Sequence, residues 1–311
     1  MADTKEYGRV TRGVGGLYEV LLSDGRVRRC RAAGKLHRDD GKLLVGDAVT
    51  LSMADNGREE AVIDEIAPRR CALIRPPLAN VTHMVLAASG AYPAPATATL
   101  DRMLAICESA CVTPVLAVTK NDLCPDEAAA LASLYRGVGY PTFLLSSVTG
   151  EGVQELRTYL TEALSEGGIC AFAGASGVGK STLLTALFPS LALETGTLSD
   201  KTARGRHTTR RVELFPFGGG FVADTPGFSL LDFEHFDFFS LEELASCFPD
   251  FSPYVGGCRY DDCTHTKEEG CALLAAVAAG KVAKSRHESY LELYPILKAK
   301  KNSYGKKSGR S

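Results

Sequence analysis

From the N-terminus to about residue 68, short apolar runs alternate with glycine-rich turns: LYEVLL, VRRCRAA, DAVTLSM and EEAVIDEI are separated by SDG, KLHRDDGK and ADNG. Short strands at this spacing predict a small closed barrel over residues 1–70, the five-stranded oligonucleotide-binding type being the best candidate. RCALIRPP follows and reads as a linker, because Pro76 and Pro77 continue neither helix nor strand. From about 80 to 230 the period changes. VTHMVLAAS, PVLAVT, PTFLLSS and ICAFAG are strand-like runs, and LDRMLAICESA, DEAAALASLYRGV and EGVQELRTYLTEAL between them have helical spacing. That alternation predicts a parallel sheet with helices on both faces. A third region begins near 236, with a helix at LEELASCF, a cysteine cluster and helices through 271–300; the basic end, KAKKNSYGKKSGRS, is expected to fray.

The 311 residues are 45% apolar and 23% charged, with a formal net charge of −2, so any nucleic-acid surface must be local. There is no apolar run of about 18 residues to span a membrane, and MADTKEYGRV lacks the apolar core of a signal peptide. A cytosolic chain is expected, in which thiols stay reduced. Cys30, Cys71, Cys107, Cys111, Cys124, Cys170 and Cys247 are scattered and read as core or half-buried residues.

Gly174-Ala175-Ser176-Gly177-Val178-Gly179-Lys180-Ser181, continued by Thr182, matches the phosphate-loop pattern. The apolar run ICAFA leads in and TLLTALF leads out. Glycines let backbone N–H groups turn toward phosphate, and a helix N-terminus adds positive potential. Lys180 supplies a point charge near the β- and γ-phosphates, and Ser181 a Mg²⁺ ligand. Asp224-Thr225-Pro226-Gly227 follows GFVAD: Asp224 suits Mg²⁺ through water, and the Gly227 N–H suits the γ-phosphate. Between them lies GRHTT, in a loop rich in small and polar residues. Thr208 and Thr209 are both candidates to complete the Mg²⁺ shell.

Thr119-Lys120-Asn121-Asp122 is similar to the guanine-reading Asn-Lys-x-Asp motif. Asp122 would accept hydrogen bonds from the guanine ring N–H and amine, which adenine cannot offer, while Lys120 packs over the base. Ser146-Ser147 stands where a backbone N–H would meet the guanine oxygen. The order is informative: the base-reading motifs at 119 and 146 precede the phosphate loop at 174, the reverse of ordinary small GTPases. The predicted fold is therefore an OB-type β-barrel (1–70), a circularly permuted α/β P-loop GTPase domain (71–235) and a mainly α C-terminal domain (236–311).

Cys258, Cys263, His265 and Cys271 offer three thiolates and an imidazole within fourteen residues, a set suited to one structural, tetrahedral Zn²⁺. Arg26, Arg28, Arg29, Arg31, Lys35 and Arg38 form one basic stretch, and nine Lys/Arg from 281 onward face only Glu288 and Glu292. Both suit RNA phosphates. Residues 212–258 contain no Lys or Arg and should avoid RNA.

With these motifs in this order, the chain resembles the ribosome small-subunit-dependent GTPase A family over nearly its whole length, including ALIRP at 72–76 and GRHTT at 205–209. The resemblance implies a late maturation checkpoint on the small ribosomal subunit and its rRNA, with GTP hydrolysis stimulated by that subunit. Thr119, Ser147 and Ala175 depart from the commoner residues, and none removes a group the site needs. Phe228 follows Gly227, where many GTPases carry a water-orienting glutamine. His207 is the best internal substitute, and the resemblance points to the same residue; Arg204, Arg206 and Arg210 rank lower. A monomer is expected. The competing readings are a phosphate-loop kinase or ATPase, disfavoured by Asp122, and a GTP-gated RNA-binding module with incidental hydrolysis.

Overall fold

A computed structural model of the chain describes residues 5–37, 42–53, 61–93, 97–189, 212–224 and 238–308. They fold as two compact units. One takes the described residues of Met1–Val85, Val153–Ala173 and Lys180–Phe228, and the other those of Leu86–Gly152, Gly174–Gly179 and Ser229–Ser311.

The first unit opens with a five-stranded barrel: β1 (Glu6–Val14), β2 (Leu17–Leu22), β3 (Val27–Ala32), β4 (Ala48–Met53) and β5 (Ala61–Ile66). β1–β2, β2–β3 and β4–β5 pair antiparallel, β3–β5 pair parallel, and β1–β4 closes the ring, giving the order 1-2-3-5-4-1. Alternation directs Val10, Val20, Cys30, Val49, Leu51 and Ile63 into its core. RCALIRPP is not a bare linker: β6 (Ala72–Leu73) and β7 (Leu78–Ala79) pair antiparallel, with Pro76 and Pro77 in the turn between them. Asp47, fully buried, accepts from Arg69 Nε at 2.7 Å and ties the barrel to this segment.

β8 (His83–Ser89) runs through both units. In the first, β11 (Ile169–Gly174) is buried along its entire length and pairs parallel with β13 (Gly220–Asp224). β13 forms a hairpin with β12 (Glu213–Phe217), and Arg12 of β1 registers with Glu213, so barrel and sheet are hydrogen-bonded through this edge. Helices α3 (Val153–Ala163) and α4 (Lys180–Leu187) belong to this unit. Phe188, just past α4, stands edge-on to Phe172 and Phe217.

The second unit carries the strand order β10-β9-β8, from β9 (Thr113–Thr119) and β10 (Thr142–Leu144), which pair parallel. α1 (Thr97–Ser109) and α2 (Pro125–Val138) flank them. α2 has Pro125 in its first turn with Asp126 and Glu127, and stops at Gly139 in the left-handed conformation. The C-terminal region adds α5 (Ala272–Ala278) and α6 (Lys284–Ser308), whose Tyr290, Leu293 and Leu297 share a core with Ala105 and Ile106 of α1 and with Phe248 and Phe251. LEELASCF is not an α-helix. Ser240 and Glu243 cap each other, but the following turns bond mostly over three residues, and Pro249 opens a short 3₁₀ turn (Pro249–Phe251). The basic end does not fray within the described residues: α6 continues to Ser308. Among the described residues no helix is long and apolar enough to cross a membrane.

Candidate functional site

β9 ends at Thr119, and the next residue, Lys120, takes φ +60°. A left-handed non-glycine residue is costly and marks a site where the surroundings impose the turn. The turn sends Lys120 Nζ to two backbone carbonyls, Tyr92 O at 2.6 Å and Gly177 O at 2.8 Å. Thr119 is buried, its hydroxyl faced by Ala88 O at 3.1 Å and by Val178 O, to one of which it donates at a time. The base-reading sequence is therefore hydrogen-bonded directly to the phosphate-loop sequence. Within that loop Gly177 (φ +81°) and Gly179 (φ +92°) occupy left-handed backbone, which a side chain would strain. Ala175, Ser176 and Gly177 are exposed, while Val178 is buried.

Asp122 is exposed at the start of the turn into α2. Asn121 N donates to Leu145 O at 3.1 Å and its Nδ2 to Glu151 Oε2 at 3.1 Å, bracing this turn against the 145–151 loop. Ser146 is buried and already used: its N–H donates to Glu151 O at 3.0 Å, and its Oγ accepts from Thr149 N. Of the two serines expected to face guanine, the partly exposed Ser147 is the one whose amide is not taken by that turn. α4 starts at Lys180, with Ser181 and Thr182 exposed in its first turn. Asp224 closes β13, but its side chain, like His207, Thr208, Thr209, Gly227 and the arginines at 204, 206 and 210, lies outside the described residues.

Cys258, Cys263, His265 and Cys271 converge, their ligand atoms all within 4.8 Å of one another. Cys258 Sγ stands 3.8 Å from Cys271 Sγ, and each stands 3.5 Å from His265 Nδ1. A tetrahedral ion with bonds of about 2.3 Å to sulfur and about 2.0 Å to nitrogen needs S···S near about 3.8 Å and S···N near about 3.5 Å. The four residues therefore fit a closed structural metal site. His265 is turned inward at φ +58°, its carbonyl 2.8 Å from His287 Nε2, while Tyr290 Oη donates to Thr264 O at 2.9 Å. Glu268 staples the loop. Burial alone would raise its carboxyl, but hydrogen bonds from the Thr264 hydroxyl and the loop amides pull it down to about 2. Such outer contacts hold metal ligands in orientation.

Comparison with known proteins decides the family. The family model for the RsgA GTPase matches residues 66–234, and that for the RsgA N-terminal domain matches 7–63. The chain belongs to the RsgA GTPase family. It is 42% identical over 298 residues to the small ribosomal subunit biogenesis GTPase RsgA of Moorella thermoacetica, covering 96% of this chain and 99% of that one. The protein of the same name from Geobacillus thermodenitrificans is 40% identical, again over 96% and 99%. Among solved structures, YloQ, a circularly permuted GTPase, superposes with a TM-score of 0.76 at 32% identity, over 95% of this chain and 96% of that one. YjeQ from Thermotoga maritima gives 0.78 at 30%, over 94% and 98%.

Sequence reasoning missed three contributors within this family's fold. The Gly90–Pro93 turn supplies the second carbonyl for Lys120, and a backbone acceptor leaves no residue-type signal. Glu268 belongs to no motif, so its capping of the 264–267 loop leaves no sequence signal. Arg286, counted among surface cations, is fully buried and bonds Asp101 and Asp250. Two barrel cations are also partly engaged, Arg26 with Asp24 and Glu6, and Arg28 with Glu6. Of the scattered cysteines only Cys111 is exposed; burial pushes the Cys30, Cys170 and Cys247 thiols up to about 12, leaving no thiolate for metal or nucleophile chemistry.

Proposed function

We propose that this chain is a cytoplasmic, monomeric GTP hydrolase of small ribosomal subunit maturation, stimulated by that subunit and by contacts with its rRNA. The observation that carries the reading is the pair of hydrogen bonds from Thr119 and Lys120 to Val178 and Gly177, which brings a guanine-type motif against a phosphate-type loop despite the permuted order. Asp122 and the Ser147 amide read guanine, Lys120 covers it, and the backbone of Gly174–Gly179 with Lys180 cradles the phosphates. Ser181, Asp224 and one of Thr208 or Thr209 hold Mg²⁺, Gly227 meets the γ-phosphate, and Thr182 lies in the same first helical turn. His207 orients the attacking water. Cys258, Cys263, His265 and Cys271 hold one structural Zn²⁺. In this reading residues 1–70 are an RNA-binding barrel, 71–235 the permuted GTPase domain and 236–311 the zinc-binding domain.

The test is GTP turnover by the full chain with isolated small subunits, large subunits or neither. Stimulation by small subunits alone is expected, with ATP unable to compete for binding. Equal turnover in all three arms would overturn the subunit dependence, and ATP binding as tight as GTP binding would overturn the assignment of Asp122. A His207→Ala chain is expected to bind GTP normally and lose the stimulated rate; full retention of that rate excludes His207.

A further inference from the structure

The two groups that read the guanine edge in the proposed site come from different loops. Asp122 lies in the turn after β9, and the Ser147 amide in the 145–151 loop after β10. They have to meet neighbouring atoms of one ring, and such a pair works only when held within about 0.5 Å of its working geometry. Some part of the chain must therefore fix one loop against the other.

The first two residues of the base-reading motif are directed elsewhere. The Thr119 hydroxyl faces Ala88 O and Val178 O, and Lys120 Nζ donates to the Tyr92 and Gly177 carbonyls. The 145–151 loop is bonded to itself. Ser146 N donates to Glu151 O at 3.0 Å, Gly150 N to Ser146 O at 2.9 Å, Thr149 N to Ser146 Oγ at 3.1 Å and Glu151 N to Thr149 Oγ1 at 3.3 Å. Gly152, at φ +69°, closes it where a side chain would run into Leu144 O. Bonded in this way the loop moves as one piece, and its placement depends on what its edge touches.

Asn121 touches that edge. It fills the position that the Asn-Lys-x-Asp motif leaves unspecified, between Lys120 and Asp122. Its N–H donates to Leu145 O at 3.1 Å, and its Nδ2 donates to Glu151 Oε2 at 3.1 Å, a bond between side chains 30 residues apart. An ionised acceptor makes such a bond stronger than a neutral one, and only the amide nitrogen can face it.

We propose that Asn121 and Glu151 are positioning residues for guanine, which touch no atom of the base but clamp the 145–151 loop so that the Ser147 amide meets the ring carbonyl oxygen while Asp122 holds the ring N–H and amine. The inference rests on the proposed reading of the base by Asp122 and Ser147, and assigns the element that makes the two act together.

The experiment measures affinities of the full zinc-loaded chain, with Mg²⁺, for three ligands: GDP, inosine diphosphate, which lacks the amine read by Asp122, and thioguanosine diphosphate, in which sulfur replaces the oxygen read by Ser147. The unaltered chain is expected to prefer GDP to both. Asn121→Ala and Glu151→Ala should each weaken GDP about three- to tenfold and thioguanosine diphosphate little, so that the preference for oxygen over sulfur collapses while the preference for the amine persists. Asn121→Asp sets two carboxylates together and should lose the same preference. Asn121→Asp/Glu151→Gln re-forms the bond with its direction reversed and should regain it. An oxygen preference that survives in both alanine variants, equal weakening of all three ligands, or a double exchange no better than Asn121→Asp alone would overturn the clamp while leaving the guanine reading intact. Equal affinity of the unaltered chain for GDP and inosine diphosphate would overturn that reading itself, and the clamp with it.

Discussion

Barrel strand β3 and C-terminal helix α6 both carry arginine, and the two settings differ in everything but charge. Just before β3, the Arg26 side chain is 57% exposed and shares Asp24 and Glu6 with solvent; on β3, Arg28, 28% exposed, meets Glu6 at 3.2 Å. On α6, Arg286 has no exposed surface, donates to Asp101 and Asp250, and lies 4.6 Å over the centre of the Phe248 ring. Tyr135 of α2 donates to the same Asp101 oxygen at 2.8 Å. Exposed pairs contribute about 0–1 kcal/mol and leave the cation able to change partners. A buried pair has no such freedom, since removing one member strands the other in a medium that does not solvate it. The barrel arginines are therefore suited to an external phosphate, and Arg286 to fixing α1, α2 and the C-terminal region as one body.

The largest test of that contrast is metal removal. Arg286 is followed by His287, whose Nε2 stands 2.8 Å from the carbonyl of the predicted ligand His265, so the buried arginine is tethered to the metal loop. A Cys258→Ser/Cys263→Ser chain is expected to carry no zinc by elemental analysis and to lose amide-exchange protection throughout 258–297. Structural zinc in small modules contributes on the order of 10 kcal/mol. Full zinc stoichiometry in the double variant would refute the ligand assignment; intact protection without zinc would detach Arg286 from the loop. Next in size, Arg286→Met should cost about 3–5 kcal/mol in urea unfolding, and adding Asp101→Asn should recover part of it. A loss under about 1 kcal/mol would place Arg286 with the surface pairs.

Lys120 lies between these extremes. It is partly exposed, yet joins the Tyr92 and Gly177 carbonyls from a left-handed backbone. Lys120→Met is expected to lower GTP affinity by about 2 kcal/mol while shifting the unfolding midpoint little, because the two carbonyls it leaves are open to water. Fluorescent-nucleotide titration and thermal melting separate the two effects, and an unchanged affinity would sink the role.

What the sequence disclosed and what it hid follow the same division. ICAFAG is a strand over the same six residues as predicted because both its faces are buried, so its run is unbroken. The phosphate loop and the Cys₃His set were legible because their chemistry demands particular residue types at short spacing. β1 was not, since Gly8 and Gly13 interrupt its alternation; yet a Cβ on Gly8 would stand 2.6 Å from Leu21 O, so glycine there serves close strand approach, not a turn. Arg286 was hidden because its partners lie 185 and 36 residues away, and a helix rich in lysine gives no sign of which cation turns inward. LEELASCF has helical composition, but Pro249 and the core under Phe248 and Phe251 favour tighter turns.

The smallest effects on stability belong to the barrel, where the consequence for function should be clearest. Cys30 points inward, while Arg29 and Arg31 on either side are exposed on the opposite face of β3. Strand alternation thus puts Arg29 and Arg31 on the outward face and Arg28 on the other, beside Glu6. Arg29→Ala with Arg31→Ala should change unfolding free energy by no more than about 0.5 kcal/mol. If both arginines contact phosphate, the same double variant weakens binding to small-subunit RNA uniformly across sequences and lowers the log-affinity against log-salt slope by about 2. Arg28→Ala, whose cation is held by Glu6, should move that slope less. A slope unaltered by the Arg29/Arg31 pair, or moved more by Arg28, would mean that the exposed face of β3 is not the one that meets RNA.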